Sequence, residues 1–455
     1  MVQQRKSTQR ERLLAGMVAV ANRGGYAAAS VSAIIAEAGV SRPTFYDYFS
    51  DRDDCFLAAI ADAHQRLLDT VGEEVRGRPP QEASAAGVEA IVAFASAEPA
   101  RARFLMSEAM AGGPRALEAR DQGIAELAAL IEEALVGVAG ELAAPDLEHQ
   151  VLIGGIYRIL ATRLRRGEPA ISKLTDELLA WIKTYERPVC EHHWRMLVPA
   201  PPAPPSPFVP DVPIQDMPGA LPPGRPRISE EQIAENHRRR ILYATTLLAE
   251  RKGYTATTVA DITKLARVDG HVFYRLFADK QDAFMSVHEI GFQVLMDVIS
   301  KAFFAGTDWP HRSWEAGRAL TQLLEVNPLV AHVGFVEAHA VGPGAVQRVE
   351  DSHIAFMFFL QEGLVYHSQP VPPSRLAMEA IITSIFEIVY RQSRVEGKPE
   401  VASMLPHITH LWLTPFLGPQ EADEFIDGQL QAGAGAGTSA PKASADRRRR
   451  ASGRS

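Results

Sequence analysis

The chain has 455 residues, two cysteines and a formal net charge of −8, and 46% of its residues are hydrophobic. That length allows two or three domains, and that apolar content is the one of a folded globular chain. Cys55 and Cys190 are too few for a disulfide framework, which points to a reducing compartment. Met1 to Arg12 is polar and basic with no apolar core, so it does not read as a secretory signal, and no apolar run approaches the roughly 18 residues of a membrane helix.

Residues 1–46 carry six Lys/Arg (Arg5, Lys6, Arg10, Arg12, Arg23, Arg42) against Glu11 and Glu37. For DNA binding, a local basic face outweighs the chain total. Leu13, Leu14, Met17, Val18 and Ala21 share one face at helical spacing, which predicts a first helix. Gly25 sits where that helix should stop. Ser30 is placed to cap a short helix that turns Val31, Ile34, Ile35 and Ala38 inward. Gly39-Val40-Ser41 then forms a turn, because glycine accepts positive φ without a Cβ clash. Ser41 can cap the next helix, and Pro43 fits its first turn, where no intrahelical donor is needed. Phe45 and Phe49 point inward, while Arg42, Thr44, Tyr46, Asp47 and Tyr48 face out. Helix, glycine turn and capped helix make the helix-turn-helix pattern. A donor-rich, partly aromatic outer face suits a groove and its phosphates.

Further on, Ile124, Leu127, Leu130, Ile131 and Leu135 predict another amphipathic helix. Residues 199–226, PAPPAPPSPFVPDVPIQDMPGALPPGRP, can form neither a helix nor a central strand, because proline removes a donor and fixes φ. They read as a semi-rigid linker spanning on the order of 80 Å. Ser229-x-x-Gln232 and Thr258-x-x-Asp261 have capping-box spacing. Residues 431–455 are rich in Gly, Ala and Ser and predict a disordered tail. Its Arg447–Arg450 run either solubilises the chain or adds non-specific attraction to DNA.

The dominant pattern is a repeat. Arg12–Phe56 returns as Arg240–Phe284, shifted by 228 positions without a gap. Gly25-Tyr26 returns as Gly253-Tyr254, and Phe45-Tyr46 and Phe49 as Phe273-Tyr274 and Phe277. Later the offset is 229: Pro99, Glu108-Ala109 and Gly113-Pro114 match Pro328, Glu337-Ala338 and Gly342-Pro343. Trp181 and Pro188 match Trp412 and Pro419 after a small insertion. A unit this long is a duplicated domain, not a solenoid repeat. The second copy departs at the turn: Arg267 replaces the glycine, Asp269 the serine cap, and Gly270-His271-Val272 replace Arg42-Pro43-Thr44. Asp269 remains a good cap, yet phosphate repels a carboxylate, Val272 cannot donate, and Gly270 weakens the helix. Tyr274, Arg275 and Lys280 keep phosphate-binding chemistry, and Gly224-Arg225-Pro226-Arg227 offers a basic arm for a minor groove.

The run GVSRPTFYDYFSDRDDCF, preceded by GGYAAASVSAIIAEA, resembles the DNA-binding domain of the TetR/AcrR family of bacterial transcriptional regulators. The stretch EPARARFLMSEAMAGGPRALEARD resembles the family's ligand-binding domain, less specifically. The resemblance implies a three-helix DNA-binding domain per unit, followed by a helical block with a ligand pocket and a dimerisation face. It places Arg42, Thr44, Tyr46 and Tyr48 on a recognition helix and gives Arg52 a phosphate contact. It also implies repression relieved by a small molecule.

The fold expected is all-α with two tandem units. Its divisions are residues 1–56 and 227–284 for DNA binding, 57–198 and 285–430 for ligand and dimerisation, linker 199–226 and tail 431–455. The DNA-facing candidates are Ser30, Ser41, Arg42, Pro43, Thr44, Tyr46, Tyr48 and Arg52, then Arg225, Arg227, Thr258, His271, Tyr274, Arg275 and Lys280. The expected partners are double-stranded operator DNA and an unidentified small-molecule effector, with no membrane, cofactor or metal. The expected place is the cytoplasm, at the nucleoid when DNA is bound. No phosphate loop, nucleophile elbow or paired-carboxylate motif points to an enzyme. His407-x-x-His410 puts two imidazoles on one face, but no Cys or carboxylate joins them at ligand spacing, which favours ordinary histidines over a metal pair. Glu337 recurs as Glu108 without a following histidine, so it reads as a fold residue and not an acid–base group. Phe335, Phe356, Phe358, Phe359, Tyr366, Phe386 and Tyr390 line a ligand pocket or an ordinary core, which share one composition. Two pairings stay open: the units pair within the chain and read an asymmetric operator, or like units pair between two chains. The rival reading is a ligand-sensing or partner-binding protein whose DNA binding is lost or confined to the first unit.

Overall fold

The computed structural model describes residues 2–79, 82–135, 143–145, 148–188, 203–210, 217–219, 229–395 and 400–438. The first unit runs α1 (Val2–Gly24), α2 (Val31–Ala38), α3 (Arg42–Tyr46), α4 (Arg52–Arg76), α5 (Ala83–Ala97), α6 (Pro99–Met106), α7 (Pro114–Leu135), α8 (His149–Arg165) and α9 (Thr175–Lys183). The second runs α10 (Glu230–Lys252), α11 (Val259–Ala266), α12 (Gly270–Leu276), α13 (Lys280–Ala305), α14 (Trp309–Val326) and α15 (Pro328–His332). It continues with a π-helical turn (Val333–Glu337), α16 (Ala338–Val341), α17 (Pro343–Gln361), α18 (Gly363–Tyr366), α19 (Arg375–Gln392), α20 (Leu405–Leu417) and α21 (Pro419–Thr438). The all-α expectation holds, with one addition: Ala143–Pro145 (β1) pairs antiparallel with Glu186–Pro188 (β2).

The long helices α4 and α13 tie each DNA-binding domain to its own helical block. On α4, Phe56, Ile60, Ala63, Leu67 and Val71 form a continuous buried stripe at helical spacing. A single apolar core runs from the first helix-turn-helix through both helical blocks. The second helix-turn-helix has a separate core built on Ile241, Ile262, Phe273, Phe277 and Phe284.

The repeat meets itself at α8 and α19, which pack along each other. Ile156, Ile159, Leu160, Ile381, Ile385 and Ile388 are all buried there. The helices come so close that a Cβ on Gly155 would collide with Ser384 Oγ. Charged groups surround the contact. Arg120 holds Glu387 with two bonds of 2.9 Å, and Arg158 Nε donates to the same carboxylate at 3.1 Å. Arg163 grips Glu379, and Arg165 and Arg166 share Glu350. Arg394 donates to Asp121 at 2.9 Å, and Arg391 lies 3.5 Å from Glu148. Farther along, Tyr185 Oη donates across the boundary to the Leu411 carbonyl at 2.9 Å.

Three local expectations differ from the structure. Trp181 and Trp412 occupy α9 and α20, each following a 3-10 turn, but Pro188 lies on β2 whereas Pro419 opens α21. The match of these prolines is therefore one of sequence only. The stretch expected as tail contributes the end of α21 up to Thr438, because its alanines favour a helix already begun; Arg447–Arg450 lie outside the described residues. The linker is not a free spacer throughout: Gln322 on α14 accepts from Ser206 N at 2.7 Å and donates to the Pro204 carbonyl at 3.0 Å.

Candidate DNA-binding faces

In the first unit the local sequence builds the corner as its residue types require. Ser30 caps α2, accepting from Ala33 N at 3.2 Å. Gly39 closes that helix in the left-handed region, at φ 59°. Ser41 caps α3, accepting from Thr44 N at 3.3 Å, and its hydroxyl lies 2.8 Å from that of Thr44. Pro43 falls in the first turn. Phe45 and Phe49 are buried beneath, which leaves Arg42 and Tyr46 on the surface. Tyr46 is 50% exposed, with its ring edge-on to Phe45 at 5.4 Å between centroids.

The remaining first-unit candidates are more engaged. Thr44 is half-buried, and Tyr48 packs its ring against the core. Arg52 donates to Asp53 at 3.1 Å and to Tyr26 Oη at 3.1 Å, with its guanidinium over the Tyr26 ring. Burial, then the hydrogen bond to Asp53, pushes the Tyr26 hydroxyl up to about 12. Arg52 thus fastens the start of α4 to the turn after α1, which sequence spacing did not reveal.

The second unit keeps the geometry with different chemistry. Thr258 and Asp261 form a full capping box, and Lys252 reinforces it at 2.7 Å from Asp261. Ser229 and Gln232 form the other. Arg267 takes the left-handed corner at φ 53°, the position of Gly39. A side chain there costs roughly 1–2 kcal/mol. Asp269 stands at the N-cap of α12 with extended backbone, but its carboxylate makes no capping bond, contrary to the expectation of a good cap. Val272 is buried, so its lack of a donor removes nothing from the surface. His271, Tyr274 and Arg275 are exposed, Tyr274 at 61%. Lys280 donates to the carbonyls of Tyr254 at 2.9 Å and Thr257 at 2.8 Å, and lies over the Tyr254 ring. Like Arg52, it serves the fold at the head of the long helix. Arg225 and Arg227 lie outside the described residues.

Behind the second DNA-binding domain, Glu337 accepts from Tyr254 N at 2.6 Å and lies 3.4 Å from His332. Its fold role is therefore a brace between the helical block and the helix-turn-helix. Glu337 ends the π-helical turn, whose Val333, Gly334 and Phe335 line an apolar cavity with His288, Phe292 and Phe356. A second apolar cavity lies beyond, lined by Ser313, Leu320, Ile382, Ile408 and Trp412. Each holds about 40 Å³, and Phe335, Phe356 and Phe386 wall both. So Phe335, Phe356 and Phe386, with Phe359 in the second cavity, line cavities, while Tyr390 is buried and Phe358 and Tyr366 are exposed. Among the described residues no group of three or more His, Cys, Asp or Glu is placed to hold a metal. His410 is instead buried, 3.2 Å from Asp423 and next to Thr414.

Capped short helices on a long tethering helix, made twice, define a tandem helix-turn-helix protein. The sequence profile described as "Bacterial regulatory proteins, tetR family" matches residues 13–59 and 241–286. The chain therefore carries two TetR-family DNA-binding domains in tandem. No curated protein matches it. Solved structures similar to it include the fatty acid degradation regulator FadR from Bacillus halodurans, with 20% identity and a TM-score of 0.36 over 39% of this chain and 94% of that one. FadR from Bacillus subtilis, solved with stearoyl-CoA, has 18% identity and a TM-score of 0.34, covering 39% and 96%. A tetR-family protein from Rhodococcus RHA1 has 19% identity and a TM-score of 0.32, covering 43% and 96%. No single helix among the described residues is long and apolar enough to cross a membrane.

Proposed function

We propose that the chain is a self-paired repressor: its two units act as one pseudo-dimer on an asymmetric operator, and a small molecule releases it. The observation that carries this reading is the α8–α19 contact, where both helices come from one chain and bury apolar and charged groups together. One short recognition helix in one groove gives few contacts, so helix-turn-helix proteins pair two about one DNA turn, roughly 34–36 Å, apart. A covalent linker gives the second unit a high effective concentration without a second molecule. Arg42, Tyr46 and Thr44 would read one half-site, and His271, Tyr274 and Arg275 a different one. Ser30, Ser41 and Pro43 hold the first reading head, and Thr258 the second.

The effector would enter the second unit's cavities. There Phe335 touches the ligand space, and Glu337 at the end of the same π-helical turn holds Tyr254 N. Such a turn often marks a functional site, because its extra residue can be expelled without unfolding the helix. A ligand that straightened it would pull on the second DNA-binding domain.

Selection of bound fragments from a random DNA pool tests the reading. The expected result is two unlike half-sites one turn apart, bound by one chain. A palindrome bound by two chains would overturn the pairing, and no enrichment at low salt would overturn DNA recognition. Enrichment of a single half-site would instead support the second reading, DNA contact confined to the first unit, for which the strained corner at Arg267, the uncapping Asp269 and the engaged Lys280 speak.

A further inference from the structure

We infer that a charge code across α8 and α19 makes the two units partners for each other and excludes pairing of like with like. The inference rests on the intrachain pairing proposed above. Residues related by the offset of 229 are equivalent in the two units, and Arg158 and Glu387 are such a pair. They also touch, with Arg158 Nε 3.1 Å from Glu387 Oε2. Equivalent residues meet only beside the pseudo-two-fold axis, since farther out the rotation carries them apart. Gly155 and Ser384, equivalent by the same offset, mark the axis again.

At that axis, two first units would set Arg158 against Arg158, and two second units would set Glu387 against Glu387. The side chains are 8% and 1% exposed, so water cannot screen the repulsion. Farther out the code repeats. Arg163 pairs with Glu379, but their equivalents are Gln392 and Gln150. Arg391 pairs with Glu148, but their equivalents are Thr162 and Ala377. These ion pairs exist only when unlike units meet. Arg165–Glu350 and Arg394–Asp121 are one pair made twice by equivalent residues, so they would form in any pairing and discriminate nothing.

A buried ion pair adds little net stability over an apolar pair of the same size, whereas losing one partner is costly. The arrangement therefore selects the partner more than it strengthens the contact. The surface fits a unit of the opposite type, in the same chain or in a second copy, and rejects its own kind.

The test uses full-length chains, with sedimentation and thermal unfolding as readouts. Arg158→Glu and Glu387→Arg should each lower the unfolding midpoint by roughly 10 °C, and neither should self-associate. An equimolar mixture of the two variants should form a two-chain complex, because each supplies the charge the other lacks. Combining both substitutions in one chain should restore a single-chain species and part of the midpoint, with Arg120 left to share the reversed pair. Unchanged single variants, self-association of either one, or no recovery in both mixture and double variant would overturn the code. If the single variants do not fold, the helicity of the double variant by circular dichroism decides. A two-chain mass for the unaltered protein would instead remove the intrachain reading and leave the code to be judged on the mixture.

Discussion

Gly39 and Arg267 hold the same corner of two helix-turn-helix units, at φ 59° and 53°. In the first unit every local choice agrees with the backbone: glycine at the left-handed residue, a serine that caps, a proline in the first turn. In the second, arginine pays the steric cost of that corner, and Asp269 stands at the cap without bonding. The first domain is continuous with the large core, while the second keeps a small core of its own and leans on Glu337. The difference teaches that a duplicated domain can keep its backbone while the residues at its turn and on its outer face change. What must survive is the buried aromatic set, Phe45 and Phe49 in one unit and Phe273 and Phe277 in the other.

The largest test of that comparison is on the shared part. Phe45→Ala and Phe273→Ala should each destabilise by about 3–5 kcal/mol, since both rings are fully buried. Urea unfolding should show the second change melting its own domain alone, because its core is separate; one cooperative loss in both would break the distinction. Next comes the surface. Arg42→Ala or Tyr46→Ala should weaken operator binding by about 1–3 kcal/mol at unchanged helicity. Arg275→Ala should cost the same only if the second face also reads DNA. It is a cleaner probe than Lys280→Ala, which also removes two bonds to carbonyls at the domain's base.

Acid should separate the units as well. Burial, then Arg158 and Arg165, hold the His353 imidazole down at about 3. An unfolded histidine titrates near 6.5, so between those values the unfolded chain binds a proton that the folded one refuses. Stability therefore falls as pH drops below about 6.5, by about 2 kcal/mol at pH 5. The equivalent residue in the first unit is Ile124, which cannot titrate. His353→Leu should remove that part of the acid sensitivity, read as the difference in unfolding free energy between pH 7 and pH 5. The smallest effects lie at the corners. Gly39→Ala should destabilise by about 1 kcal/mol, and Arg267→Gly should stabilise by up to about 1 kcal/mol. Equal signs at the two sites would mean that the corners are not equivalent.

Much of this was legible in the residues themselves. The repeat, the all-helical units, the capping boxes and the inward phenylalanines follow from spacing, because helix periodicity and caps are local properties. Local rules also placed Arg42 and Tyr46 on the surface. They did not show that Arg52 also bonds Tyr26, or that Lys280 holds the carbonyls of Tyr254 and Thr257, because those partners lie on other segments; a long charged side chain looks alike in sequence whether it reaches solvent or folds back.

The sequence by itself determined that one helix-turn-helix unit was made twice and that the second copy had drifted at its turn. Only the tertiary structure decided which helix of one unit meets which helix of the other, that Arg158 and Glu387 touch each other, and that the second unit's aromatic residues wall two cavities. The physical reason is range. Helix, turn and cap are set by neighbours a few residues apart. An ion pair across 229 positions exists only once two apolar faces have packed and excluded the water between them.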